Sequence, residues 1–190
     1  RPQCAPGELM HLTCATAVAM CDAVEAATGF RPGIKWTNDL VSGKRKLGGI
    51  LTELGLSAKG TVDYTIIGIG INCCQEEADF APEIRNIAAS LAMVTGKEID
   101  RAQVAAAMMD SLYRMDNILL TEKAAILERY RKNCITIGQE VSLLRVGEEV
   151  RHGKAVGMDD EGALLVTFAD GHTEAVNSGE VSVRGMYGYL

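Results

Sequence analysis

The chain has little that would support metal or covalent catalysis. Its three histidines, at positions 11, 152 and 172, are scattered, and none of its six cysteines forms a CxxC pair or a zinc-ligand spacing. Neither a metal centre nor a Ser-His-Asp triad can be assembled from them. No GKS or GKT phosphate loop occurs, and "GIGIN" at 68–72 has Cys73 where a dinucleotide fingerprint needs its third glycine. No segment approaches the ~20 apolar residues that span a bilayer, and no signal-peptide pattern is present, so no membrane partner is expected. Positive charge is not in excess either. The net charge of −6 argues against nucleic acid as the main partner of this stretch, although a local basic patch can serve a small anion.

What the chain does have is apolar content. At 47% hydrophobic over 190 residues it can fill one sizeable core and a small second one. The cysteines read as buried free thiols of a protein in a reducing cytoplasm, with Cys14 and Cys21 one heptad apart on an apolar helix face. That helix runs from Glu8 to Thr28, with Gly29 past its end. "GIKW" reads as a short strand, "VSGKRK" as a hairpin turn centred on Ser42–Gly43, and "LGGILTEL" as a strand. "DYTIIGIGINC" is almost continuously apolar and reads as a central strand covered on both faces. "EIRNIAASLAMVTG" reads as a helix with a glycine stop. Asp100 then caps a long helical region through Asn133, with Leu112, Met115, Leu119, Ala124, Leu127 and Tyr130 as core positions. Beyond it, short alternating strands and Gly/Asp turns mark a small antiparallel barrel. The boundary falls near Asn133–Ile137, giving an α/β unit over 1–134 and a β module over 135–190.

Two stretches could carry chemistry. "KWTNDLVSGKRKLGGILTEL" gathers Lys35, Lys44, Arg45 and Lys46 around a tight turn beside Asn38 and Asp39. Lys44 and Arg45 read as a solvated hairpin tip. Lys46 enters the strand and by alternation shares a face with Gly48 and Ile50, so a ligand could lie beneath its ammonium. Asp39 could hold Mg²⁺ or orient a nucleophile. In "GIGIN", Gly68 and Gly70 either relieve crowding within a strand or let a flat ligand lie against it, with Asn72 offering an amide to adenine. The residues alone favour the first of these two readings.

Taken together, "KWTNDLVSGKRKLGGILTEL" and "IIGIGIN" resemble, in order and spacing, the two signature blocks of biotin protein ligases. The helix preceded by "RP" and the C-terminal "SGEVSVRG" fit the same family. The resemblance implies an α+β catalytic domain with a mixed sheet, like that of class II aminoacyl-tRNA synthetases, followed by an SH3-like barrel. It implies an enzyme that uses MgATP to convert biotin to biotinyl-5′-AMP and passes the biotinyl group to a lysine of a biotin carboxyl carrier protein. Carried over position by position, Lys46 matches the lysine that contacts biotin and the phosphoryl group. Asn38 and Asp39 match the adenylate and metal side, with Asp39 as the Mg²⁺ ligand. Gly48, Gly49, Ile50 and Leu51 match the strand beside biotin and its acyl phosphate. Asn72 matches the adenine-contacting asparagine, with Gly68 and Ile71 beside it, and this decides for the second reading of "GIGIN".

Lipoate–protein ligase is a relative with the same adenylation logic, but the "KWTND…RKLGGIL" wording favours biotin. A biotin-responsive repressor would need a DNA-binding segment upstream. Thr37 stands where the family usually has proline, which should loosen the bend before Asn38. The family's glycine- and arginine-rich loop does not occur in these residues. The expectation is therefore a catalytic domain lacking its N-terminal part, inactive by itself, with an open sheet edge that invites a homodimer.

Overall fold

The computed structural model describes residues 1–2, 4–144 and 149–177, and residues 182–185 as backbone. Its first long element is a core helix, α1 (Leu12–Thr28), preceded by a 3₁₀ turn at Pro6–Leu9. The α-helix thus begins later than Glu8. Small and apolar residues occupy nearly its whole circumference, and Cys14 through Cys21, Ala23 and Val24 are buried, as expected of a helix that is apolar all round. Gly29 ends it in the left-handed conformation (φ 77°), its N–H donating to the Glu25 carbonyl. The stretch Pro6–Thr28 is long and apolar enough by composition to cross a membrane, contrary to the reading above. Its apolar window is 72% buried inside the fold, where it serves as core.

Against α1 lies a four-stranded sheet of β1 (Gly33–Lys35), β2 (Asp39–Ser42), β3 (Arg45–Leu56) and β4 (Val62–Ile71), in that order. Every pairing is antiparallel, and parallel contact enters only as isolated bridges, Ile34–Cys134 and Lys46–Ala88. The β2–β3 turn is Gly43–Lys44, one residue later than expected, because Ser42 already pairs with Arg45 and Gly43 takes φ 56°.

A bulge follows at once: Leu40 pairs with Gly48 but Val41 with Lys46, which leaves Leu47 as an extra residue. Strict alternation therefore fails, and Leu47, Gly48 and Ile50 are all buried. β4 is an edge strand among the described residues rather than a central one. One of its faces packs on the core, and Tyr64 and Ile66 on the other are exposed.

The stretch read as a helix from Glu83 is mostly turns, and α2 spans only Leu91–Thr95. The reason is pairing with β3: the Lys46 N–H donates to the Ile87 carbonyl and the Ala89 N–H to the Lys46 carbonyl. The long helical region splits into α3 (Arg101–Ile118), capped by the Asp100 carboxylate, and α4 (Lys123–Asn133). Met115, Leu119, Leu127 and Tyr130 are buried and Leu112 is half-buried, but Ala124 is exposed and Ile126 takes the core position.

The second sheet contains β5 (Glu140–Leu144), β6 (Arg151–Met158), β7 (Leu164–Phe168), β8 (Thr173–Val176) and β9 (Ser182–Gly185), ordered β8-β7-β6-β5-β9 and antiparallel throughout. No pairing between β8 and β9 closes it among the described residues. Of the C-terminal "SGEVSVRG", residues 178–181 lie outside the described residues. The six thiols are all free, though Cys74 is exposed and Cys4 and Cys73 only half-buried, so not all of them are core.

Candidate active site

The bulge that breaks alternation also sets the direction of Lys46. Its ammonium lies beside Gly49 rather than Gly48, because a Cβ on Gly49 would come within 3.3 Å of Lys46 Nζ and equally close to Asp39 Oδ1. Lys46 Nζ and Asp39 Oδ1 are 2.5 Å apart, and the Asp39 side chain is largely buried. The pair therefore sits where β2 and β3 first meet, held by an ionic bond in a partly dry place, where such bonds strengthen.

Next to the pair runs a lane floored by glycine. Gly49 pairs with Gly70 and Leu51 with Gly68 across β3 and β4. A Cβ at Gly70 would meet nothing within 4 Å, and at Gly68 only Leu51 at ordinary contact distance. Gly48 has a different task, since a Cβ there would collide with the Gly70 carbonyl, so it allows β3 and β4 to approach closely.

The cavity above this floor has a volume of about 590 Å³. Lys46, Gly48, Gly49, Gly70, Ile71 and Asn72 form one side, and Phe80, Ile84, Ile87 and Ala88 the other, with Gln75 and Asp79 at the end. The second wall is fixed by backbone bonds: the Asn72 N–H donates to the Leu47 carbonyl, and the Leu91 N–H to the Asn72 carbonyl. The Asn72 side chain donates from Nδ2 to the Ala89 carbonyl at 3.0 Å, which leaves its amide oxygen for a ligand. One of its two Nδ2 hydrogens is thus committed to Ala89, while the amide oxygen and the second N–H stay available.

Lys46, Asp39, Gly48, Gly49, Ile71 and Asn72 are therefore brought together. Ile50 is not: at 3% exposure it points into the core, because the bulge reverses its face. Leu51 (63% exposed) and Gly68 continue the open face of the sheet beyond the cavity lining. Asn38 braces β3, its Nδ2 donating to the Ile50 carbonyl at 2.8 Å while its own carbonyl accepts from the Ile50 N–H. Its neighbours are held as well. The Trp36 N–H donates to Thr136 Oγ1, the Trp36 indole to the Gly162 carbonyl and the Tyr130 hydroxyl to the Thr37 carbonyl, so the bend at Thr37 is tied on both sides.

Asp39 is engaged with Lys46, and no group of three metal-ligating side chains exists among the described residues. Sequence reasoning missed Phe80, Ile84, Ile87 and Ala88. Their spacing imitates a helical period, and only their bridge to β3 shows that they form a wall.

An ammonium beside an open glycine lane, with an apolar wall and an amide oxygen at the end, suits a flat ligand joined to an anionic group. Residues 2–72 match the Biotin/lipoate A/B protein ligase family, and residues 136–184 match the Biotin protein ligase C terminal domain. The chain belongs to the biotin protein ligase family. It is similar to the bifunctional ligase/repressor BirA of Bacillus spizizenii, 36% identical over 185 residues that cover 90% of this chain and 52% of the relative. It is also similar to the biotin–[acetyl-CoA-carboxylase] ligase of Mycobacterium tuberculosis, 27% identical, covering 90% of this chain and 61% of that protein. Among solved structures, the Aquifex aeolicus biotin protein ligase in complex with biotin and ATP superposes with a TM-score of 0.78 at 29% identity, covering 93% of this chain and 72% of that one. The chain spans about half the length of the curated BirA relatives it matches.

Proposed function

We propose that the protein is a biotin–protein ligase that activates biotin with MgATP and transfers the biotinyl group to a lysine of a biotin carboxyl carrier protein. The observation that carries this reading is the Lys46–Asp39 pair at the head of the glycine lane, with Asn72 lining the same cavity. In the first step a biotin carboxylate oxygen bonds to the α-phosphorus, and pyrophosphate leaves with the electrons of the broken anhydride bond. Negative charge grows on the phosphoryl oxygens, and a fixed ammonium at Lys46 stabilises that charge more than it stabilises the substrates. Asp39 holds the ammonium in place. In the second step the neutral carrier amine attacks the acyl carbon, AMP leaves with the bonding electrons beside Lys46, and the amine's surplus proton passes to solvent.

Magnesium enters this scheme with the ATP phosphates. Asp39 is one carboxylate already ion-paired, so orienting Lys46 is its first role and a share in the metal its second. The Asn72 amide oxygen suits the exocyclic amine of adenine, and Phe80 and Ile84 supply an apolar surface for the base.

We assign residues 1–134 to the catalytic unit and 135–190 to an SH3-like module. In support, the first sheet ends at Ile71, α4 ends at Asn133, and the second sheet begins at Glu140. Six free thiols suit the cytoplasm. The outer edge of β4 has no strand partner among the described residues and could take a second copy in a homodimer. The ligase reading is preferred to a repressor because the features observed in this chain are those of an adenylating site.

The test is to incubate the full-length protein with MgATP and biotin, then with a carrier protein, and to follow pyrophosphate and carrier mass. Both products are expected with biotin. Lipoate used in its place would overturn the substrate, and no pyrophosphate with either acid would overturn the activity.

A further inference from the structure

The corner that carries Asp39 depends on a residue far away in sequence. Tyr130 is fully buried on α4, and its hydroxyl donates to the Thr37 carbonyl at 2.9 Å. A phenyl ring would fill the same apolar space without a polar atom to satisfy, and burying an unbonded hydroxyl is costly. The hydroxyl therefore serves its bond to the Thr37 carbonyl. Thr37 directly precedes Asn38, which is bonded twice to Ile50, and Asp39, which pairs with Gly49 and holds Lys46. The Asp39 carboxylate is also near enough to Tyr130 to help raise the phenol's pKa, with burial the first cause.

We propose that Tyr130 is a positioning residue for the Asp39–Lys46 pair: by holding the Thr37 carbonyl it fixes the corner from which Asp39 directs the Lys46 ammonium. Its bearing on rate rests on the adenylation reading given above. Without the hydroxyl, the Thr37 carbonyl loses its partner and the Asn38–Asp39 corner relaxes. The Lys46 ammonium then no longer stands at one fixed distance from the reacting phosphoryl group. Small displacements of this kind are expensive in rate while leaving substrate affinity almost untouched.

The test is Tyr130→Phe in the full-length protein, with Thr136→Val as a comparison. Thr136 is also buried and its hydroxyl accepts from the Trp36 N–H, one residue farther along the chain from Asp39 than Thr37. We expect Tyr130→Phe to lower kcat for pyrophosphate release roughly tenfold with KM for biotin unchanged. Thr136→Val should lower kcat less. In a Lys46→Ala background, Tyr130→Phe should add no further loss, since the group it positions is gone. Hydrogen exchange at the Ile50 amide, which bonds Asn38, should accelerate in Tyr130→Phe whether or not substrates are present.

Equal kcat losses in the two variants, an additive loss in the Lys46→Ala background, or unchanged Ile50 exchange would each overturn the proposal. If the wild-type protein releases no pyrophosphate, the adenylation reading fails. Exchange at Ile50 then decides alone: acceleration upholds Tyr130 as the brace of this corner, and no change overturns it.

Discussion

A Cβ added at Gly153 in the second sheet would meet Val166 Cγ1 at 2.6 Å and the Thr167 carbonyl at 2.9 Å, while at Gly70 in the first sheet it would meet nothing within 4 Å. Both glycines lie in antiparallel strands, and their neighbourhoods differ completely. Gly153 lets side chains and backbone close in, as a packed interior does. The first sheet leaves the volume above Gly68 and Gly70 open, and Lys46 with Asp39 closes its Gly49 end. An open glycine lane next to a fixed charge marks space kept for a ligand, whereas a filled one marks packing.

The strongest way to break this contrast is to remove the charge. Lys46→Ala should lower biotinyl-adenylate formation by ~10²–10³, or roughly 3–4 kcal/mol, with little change in thermal stability. Lys44→Ala, at the exposed tip of the hairpin, should cost far less. Comparable losses of pyrophosphate release in the two variants would remove Lys46 from the mechanism.

The glycines themselves sharpen it. Gly153→Ala should destabilise the fold by about 1–3 kcal/mol through overpacking, without a direct effect on ligand affinity. Gly70→Val should do the reverse, keeping the melting temperature while its side chain occupies the lane and weakens ligand binding. Calorimetry and a melting curve on each variant decide the matter, and a large stability loss for Gly70→Val would make its lane a packing feature after all.

Asn72→Ala probes the cavity lining at the end of β4. Losing the amide should weaken ATP binding by about 1–3 kcal/mol and biotin binding less. Weakened biotin affinity with unchanged ATP affinity would take Asn72 away from the base.

The smallest expected effect lies outside the site. His11 is buried, its Nε2 bonds the Leu119 carbonyl, and its Nδ1 has no partner. Burial lowers its pKa from 6.5, with Lys123 lowering it further and the Leu119 bond and Glu161 opposing. The unfolded chain therefore binds more protons than the folded one just below that value, so this contribution to stability is full above pH 6.5 and declines as pH falls through it. Melting temperatures at pH 8 and pH 5 should show the decline, and His11→Gln should flatten it.

Much of this was legible in the chain. Lys46, Gly49, Asn72 and the order of the two blocks are local features, and so are α1, its Gly29 stop and the Asp100 cap, because periodicity and end signals act over a few residues. The faces of β3 were not legible. A period of two predicts Lys46 with Ile50, and one extra residue, Leu47, moves Ile50 into the core and Lys46 over Gly49. Nor was the second wall, since Phe80, Ile84 and Ala88 follow a helical spacing until Lys46 captures the backbone at Ile87 and Ala89.

The sequence by itself determined which groups are available: one strand-entering lysine, an aspartate close to it, a run of glycines and an asparagine after them. Only the tertiary structure decided that Asp39 meets Lys46, that Gly70 stays uncovered by side chains, and that Tyr130 reaches Thr37 across 93 positions. Contacts between residues so far apart depend on how α1 and α4 pack against the sheet. Local propensity carries no information about that packing.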